Sequence, residues 1–327
     1  MYIINFSKLR VGDILLTRKH DRECELIRKS TKSDYSHAIL YVGVGSGIES
    51  NGLGVQSINT TRTIYKFPND VQILRYNKSN FESIIEDVIN FARQKIGTEY
   101  STKEARLSRL EETIEAKETN RQFCTRFVAQ SYKNAGIKVV PNPDYCSPKE
   151  LIESDFFDLI DSCLEKGTKE QIDYANEKDN PISQQTDITN EIFEFARSIS
   201  NTDIQTFEQL SKYVLENRTK EPEITEFIRN SGYLTMWEKD IERNPWYYDY
   251  QKAIEHYKSS EERKGNGKFF SDTEEYTRHR FLVSLDAMKF GYSFYKQDFF
   301  KDQIELCEKL IELSKQREFV GNKLLNE

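Results

Sequence analysis

The sequence lacks any apolar run of the roughly 18 residues that a membrane-spanning helix needs. It also lacks a surplus of positive charge, because 47 lysines and arginines stand against 54 acidic residues, for a net charge of −7. Residues 1–6 have neither the basic region nor the long apolar core of a signal peptide. These absences predict a soluble, cytoplasmic protein with no membrane span, and they disfavour nucleic acid as a partner, since phosphate binding needs a basic surface.

Cysteine is scarce, and its spacing is irregular. The number is odd, and no CxxC pair or Cys/His cluster with zinc spacing occurs. We therefore expect free thiols in a reducing compartment, with no metal and no organic cofactor. The five cysteines are Cys24, Cys124, Cys146, Cys163 and Cys307.

The spacing of the apolar residues changes along the chain. Up to about residue 78, short β-branched segments are separated by glycines, a pattern typical of an antiparallel meander. The predicted strands are 11–16, 38–42, 48–50, 54–58 and 71–75. After residue 80 the apolar period becomes helical, which predicts helices over 81–96, over 102–118, and from near Cys124 to Gly136.

A polar stretch at 165–183 is the best candidate for a linker. Beyond it, almost every segment has a helical period, and the aromatic residues are dense enough for a separate core. The sequence thus predicts an α+β domain over residues 1–165, with an antiparallel sheet followed by helices, and an all-α domain over residues 183–327.

Histidine occurs only four times, and His37 differs from the other three. His20, His256 and His279 are flanked by charged residues, as surface histidines are. His37 instead opens the most apolar predicted strand, where a polar side chain needs a partner or a function. A lone histidine in such a place is more often structural, so a functional interpretation needs a second residue.

Cys124 is that second residue. It lies at the predicted start of an amphipathic helix, where the helix dipole and the free N–H groups favour a thiolate. The same N–H groups can stabilise an oxyanion that forms beside the sulfur. None of the other cysteines has an equivalent setting.

Glu49 is the third candidate, 12 residues after His37 on the return strand of a glycine-rich hairpin. A three-residue turn over residues 43–45 places Ile39 opposite Glu49. Because side chains alternate along a strand, Glu49 then shares a face with His37 and lies on its diagonal. A slip of one residue would put the two on opposite faces.

Together, these segments resemble the NlpC-type papain-like superfamily, and specifically its circularly permuted branch of YiiX/YebB-like proteins, related to lecithin:retinol acyltransferases. The order His-before-Cys marks the permutation, and the resemblance covers about residues 7–160. The segments that carry it are 9–15, 36–43, 47–50, 54–55, 92–100, 123–137 and 146–151.

The resemblance implies a permuted papain-like domain in which Cys124 is the nucleophile, His37 the base and Glu49 the third polar residue. It implies a cysteine hydrolase that cleaves an amide or isopeptide bond through a thioester, without metal or cofactor. Two alternatives stay open: a thioesterase or acyltransferase for lipid-linked acyl groups, and a catalytically idle module that binds a protein.

Two further expectations concern the rest of the chain. The charged helix predicted over 102–118 should lie beside the active-site cleft, because it enters the chain shortly before Cys124. The helical half should contribute no catalytic group and is a candidate for binding a protein partner, while the N-terminal half takes a peptide or acyl substrate.

Overall fold

The computed structural model describes residues 1–107, 121–177 and 180–326. The chain divides into two compact units. The N-terminal unit consists of residues 1–186 with 205–207, and the helical unit of residues 187–204 with 208–327. The predicted fold class, an α+β domain followed by an all-α domain, is confirmed.

The N-terminal unit is built on a six-stranded antiparallel sheet in the order β5-β4-β3-β2-β6-β7, while β1 and β8 form a separate pair. All five predicted strands are present, as β2 to β6. The strands are β1 (Tyr2–Ile4), β2 (Ile14–Thr17), β3 (His37–Gly43), β4 (Ser46–Asn51), β5 (Gly54–Asn59), β6 (Val71–Tyr76), β7 (Phe157–Ile160) and β8 (Leu164–Lys166).

Six α-helices accompany these strands in the described part of this unit. The predicted helices at 81–96 and near Cys124 are present as α2 and α4, and the chain turns at glycines with positive φ just after each. The helices are α1 (Arg22–Thr31), α2 (Phe81–Gln94), α3 (Thr102–Leu107), α4 (Cys124–Asn134), α5 (Pro148–Ile152) and α6 (Lys169–Ala175).

Alternation along the central strands produces two cores. Leu40 of β3 lies in the core that α2 and α4 cover, together with Val88 and Phe127 from those helices. Ile39, its neighbour, points to the opposite face and packs in a second core with Tyr65. Strand β3 is therefore apolar from Ala38 to Val42 because both of its faces are buried there.

The helix predicted over 102–118 is described only in its first part, α3. Residues 108–120 lie outside the described residues, so the prediction for them is not tested. Within α3, Glu104 is buried and its Oε2 accepts a 2.9 Å bond from the guanidinium of Arg126 on α4. Arg126 also lies between the rings of Phe123 and Tyr145. This buried ion pair joins α3 to the helix that begins with Cys124.

The predicted linker at 165–183 differs from what the structure contains. Strand β8 pairs with β1 in the register Ile4↔Leu164, and Thr168 then begins α6 with a capping box. The polar composition of this stretch reflects an edge strand and an exposed helix, which bury little apolar surface. The N-terminal unit extends to residue 186 as a result.

The helical unit is dominated by an antiparallel hairpin of its two longest helices, α12 and α13. Arg317 of α13 makes a two-bonded ion pair with Glu274 of α12, and the backbones approach closely at Gly267 and Gly321. The C-terminal helices, of which α7 and α8 begin on residues of the N-terminal unit, are α7 (Pro181–Ser200), α8 (Phe207–Glu216), α9 (Glu221–Ser231), α10 (Met236–Arg243), α11 (Tyr250–His256), α12 (Ser260–Tyr295) and α13 (Asp298–Leu325).

Two observations bear on the surroundings of the protein. No helix in the described ranges is both long enough and apolar enough to cross a membrane. Helix α12 exposes an apolar side chain every seven residues, at Phe269, Tyr276, Val283 and Phe290. The expectation that the helical half binds a protein partner stays a prediction.

The turn between β4 and β5 provides a matched test of how the hairpin is held. A Cβ at Gly54, which has a φ of +99°, would meet the carbonyl oxygen of Thr98 at 2.6 Å, whereas one at Gly52 meets nothing within 4 Å. We expect Gly54→Ala to destabilise the N-terminal unit by about 1–3 kcal/mol. Gly52→Ala should change its stability by less than about 1 kcal/mol. Calorimetric melting compares the two, and equal effects would contradict the proposed backbone clash.

Candidate active site

Cys124 is the first residue of α4, as the sequence predicted. The residue before it, Phe123, has an extended backbone and provides no side-chain acceptor for the helix N–H groups. The following residues, Phe127 and Val128 among them, are buried against the sheet and fix the helix in place. Cys124 as a whole residue is half-buried.

His37 is the first residue of β3, and the hairpin that follows has the predicted register. Ile39 pairs with Glu49 across β3 and β4, which puts His37 and Glu49 on the same face. The Nε2–H of His37 donates to Oε2 of Glu49 over 2.7 Å. Both side chains are largely buried, with exposed fractions of 18% and 13%.

The imidazole of His37 also lies close enough to the Cys124 thiol for each group to shift the pKa of the other. Because Nε2 is engaged by Glu49, Nδ1 is the ring nitrogen left for the sulfur. The backbone N–H groups of Ala38 and Thr125 also help to lower the pKa of this thiol. The pairing of β3 with β4 starts at Ile39, one residue after Ala38, which leaves the Ala38 N–H free of that ladder.

These contacts shift the ionisation of all three groups. Burial alone would raise the pKa of Cys124, but the bond and charge of His37, with the two N–H donors, lower it below the usual thiol value. Burial alone would lower the pKa of His37, but Cys124 and Glu49 together raise it well above its ordinary value. The arrangement therefore favours a thiolate beside an imidazolium near neutral pH.

Glu49 is held in place by two amides that sequence reasoning missed. Its Oε1 accepts bonds from Asn51 Nδ2 at 2.6 Å and from Gln56 Nε2 at 3.0 Å. Burial would raise the pKa of Glu49, but His37, Gln56 and the charge of Lys19 lower it to about 2. Gln56 lies directly opposite Glu49 across β4 and β5, so the register of this second hairpin was the available signal.

The segment after α4 contacts the first turn of the helix that begins with Cys124. The hydroxyl of Thr125 donates to the carbonyl oxygen of Cys146 over 2.6 Å. Ser147 and Glu150 then form a capping box that begins α5. This places the segment 146–151, which the resemblance had singled out, against the first turn of the cysteine helix.

The other four cysteines have no comparable environment. Burial raises the pKa of the thiols of Cys24, Cys146, Cys163 and Cys307, so they are less easily ionised than an exposed thiol. Within the described residues, no group of three or more His, Cys, Asp or Glu side chains is arranged to hold a metal ion.

Comparison with known proteins agrees with this geometry. Residues 8–151 match the model of a family described as permuted papain-like amidase enzymes, YaeF/YiiX, C92 family. This segment is a permuted papain-like domain. The resemblance that the sequence motifs suggested is thereby confirmed, and the domain has the fold of a cysteine hydrolase of the amidase type.

One solved structure that matches is titled as the crystal structure of metalloprotein YiiX from Escherichia coli O157:H7. The two sequences are 15% identical, and the alignment covers 47% of this chain and 98% of that one, with a TM-score of 0.31. No curated protein matches the chain.

The contact between Cys124 and His37 predicts how the thiol reacts with iodoacetamide. At pH 7 the alkylation of Cys124 should be faster than that of an ordinary thiol, whose pKa is about 8.5. His37→Ala removes the positive charge but leaves the sulfur buried, so the pKa of Cys124 should rise and the rate at pH 7 fall at least about tenfold.

Cys24, partly exposed and distant in sequence, is the internal control. Its alkylation, followed on the same samples by peptide mass spectrometry, should not respond to His37→Ala. Unchanged reactivity of Cys124 in the His37→Ala variant would show that the imidazole does not set its ionisation.

Proposed function

We propose that this protein is a cysteine hydrolase that cleaves an amide or isopeptide bond through a thioester on Cys124. The observation that supports the proposal is the chain of contacts from the Cys124 sulfur to His37 and from His37 to Glu49, on a domain whose family is described as amidases. A nucleophile, a base and a group that orients the base are the parts that such a reaction needs.

In the first step, the Cys124 thiolate attacks the carbonyl carbon of the substrate, and the carbonyl oxygen becomes an oxyanion. The backbone N–H of Cys124, at the start of α4, is one donor for this oxyanion. The N–H groups of Ala38 and Thr125, which face the thiolate in the resting enzyme, lose that partner when the sulfur becomes part of a covalent bond. We assign the second oxyanion donor to one of these two groups.

His37 carries the proton through the rest of the cycle. As imidazolium, it donates its Nδ1 proton to the leaving nitrogen, and the carbon–nitrogen bond breaks to leave a thioester. Neutral His37 then takes a proton from water, the hydroxide adds to the thioester, and Cys124 leaves as thiolate with the carboxylic acid as product. Glu49 stays ionised throughout and stabilises the imidazolium.

The substrate class separates this proposal from its two alternatives. A thioesterase or acyltransferase would use the same three residues on a lipid-linked acyl group, with an oxygen or sulfur leaving group. A protein-binding module would need no turnover at all. The word amidase in the family description favours a nitrogen leaving group.

A pair of chromogenic substrates with one acyl group discriminates between these possibilities. We expect the enzyme to hydrolyse N-acetyl-alanyl p-nitroanilide, with the acyl group trapped on Cys124 in mass spectra after acid quenching. Cys124→Ser should reduce the rate by at least about 10³-fold. Turnover of the corresponding thiophenyl ester without any turnover of the amide would favour the thioesterase. If neither substrate acylates the protein, the result would support the idle module.

The role of Glu49 predicts a change in pH dependence as well as in rate. Glu49→Gln removes the negative charge beside the imidazolium, so the pKa of His37 should fall. The alkaline limb of the kcat/KM profile, which follows loss of the imidazolium, should then move to lower pH. The loss of rate should be smaller than the roughly 10²- to 10⁴-fold loss expected for His37→Ala.

Glu82→Gln, a change at an exposed carboxylate in the first turn of α2, is the matched control and should leave the profile unchanged. If the alkaline limb does not move in Glu49→Gln, a residue other than Glu49 must stabilise the His37 imidazolium.

A further inference from the structure

A cavity of about 520 Å³ lies inside the N-terminal unit, on the Glu49 side of the His37 imidazole. His37, Glu49 and Gln56 form part of its wall, whereas Cys124 does not. The cavity therefore does not reach the Cys124 sulfur itself. Its volume falls within the range of pockets that bind small organic molecules.

The wall carries more positive than negative charge, in a chain that is acidic as a whole. Four lysine and arginine side chains and two carboxylates line the cavity. The two carboxylates are already engaged: Glu49 by His37 and by two amides, and Asp70 by His20 Nε2 at 2.8 Å and by two backbone N–H groups.

The four cations divide into two kinds. Arg18 is paired with Asp34, and Arg62 with Glu177. Lys19 and Lys66 make no ion pair with any described residue, and both are exposed at the wall. Lys19 is close enough to Glu49 for its charge to lower the pKa of that carboxyl group. Two ammonium groups are thus available to an anion that enters from solvent.

Tyr65 is the second, independent sign of a ligand. Its side chain lines the cavity and is 7% exposed, and its hydroxyl has no partner with full hydrogen-bond geometry in the described structure, although the Thr63 side chain is near enough to lower its pKa slightly. Burial and the nearby charge of Glu49 raise its pKa, so the phenol stays neutral and keeps its proton. A buried hydroxyl without a partner is costly, and a ligand that accepts its hydrogen bond would remove that cost.

The same wall has an apolar part. Ile39, Ile58, Ile64 and Ile182 contribute branched side chains to it. A ligand that satisfies the whole cavity therefore combines an acidic group, for the lysines and the tyrosine hydroxyl, with an aliphatic body, for the isoleucines. An inorganic ion would leave the apolar wall uncovered.

We propose that this cavity is a binding site for a small organic anion, a carboxylate or a phosphate monoester with a short aliphatic chain. The site is separate from the position of the scissile bond, although it shares the His37 and Glu49 side chains with the catalytic group. The proposal does not depend on the hydrolase activity, because the residues that carry it are Lys19, Lys66 and Tyr65.

The test is calorimetric titration of the full-length protein with three probes that share one chain: hexanoate, hexyl phosphate and hexanol. We expect the anions to bind with one site and hexanol at least about tenfold more weakly, since it lacks the charge. The stronger of the two anions identifies the acidic group. Equal binding of hexanol, or no binding of either anion at millimolar concentration, would overturn the proposal.

Three variants locate the binding. Tyr65→Phe removes only the hydroxyl and should weaken the better anion about tenfold, as should Lys19→Met combined with Lys66→Met. Lys138→Met, at an exposed lysine outside the cavity, is the control for net charge. Binding that Tyr65→Phe and the double lysine variant leave unchanged, or that Lys138→Met weakens equally, would place the anion elsewhere.

Cys124→Ser separates this proposal from the proposed function. It should abolish hydrolysis but leave the affinity for the anion within about twofold, because Cys124 is not part of the wall. Loss of anion binding in Cys124→Ser would contradict a separate site. If the unaltered protein binds the anion but shows no hydrolysis, the result would support the anion site and contradict only the proposed hydrolase activity.

Discussion

The contact between the His37 imidazole and the Cys124 sulfur is the interaction on which the chemistry of this protein depends. A buried thiol resists ionisation, and a buried imidazole resists protonation, so neither group alone would carry charge. Placed together, each favours the charged form of the other. Glu49 adds a second anion on the far nitrogen, and its own carboxylate is satisfied by Asn51 and Gln56.

A helix and a β-hairpin carry the three side chains of this site. Helix α4 presents Cys124 at its first residue, where the backbone N–H groups have no partner within the helix itself. The β3–β4 hairpin presents His37 and Glu49 on one face, and the hairpin to β5 brings the amide of Gln56 to the same carboxylate. The permuted order His-before-Cys is compatible with this geometry, because only the packing of the helix on the sheet determines which residues meet.

Much of this arrangement could be predicted from the sequence because it depends on short-range periodicity. Turn length fixed the pairing of Ile39 with Glu49, and the amphipathic period fixed the start of α4 at Cys124. The pair of β1 and β8 was missed, since three-residue strands show no alternation, and it changed the boundary at 165–183. The unpaired hydroxyl of Tyr65 could not be foreseen, because its cavity is assembled from segments as distant as residues 17 and 186.

The central claim is that Cys124 and His37 form a thiolate–imidazolium pair in the resting protein. The ultraviolet absorbance of a thiolate, taken as the difference between the native protein and Cys124→Ser, measures this directly across a pH titration. We expect a thiolate signal already present at pH 7, with a midpoint below the ordinary thiol value of about 8.5. A signal that first appears at or above that value would mean that the sulfur is a neutral thiol at rest and would contradict the account.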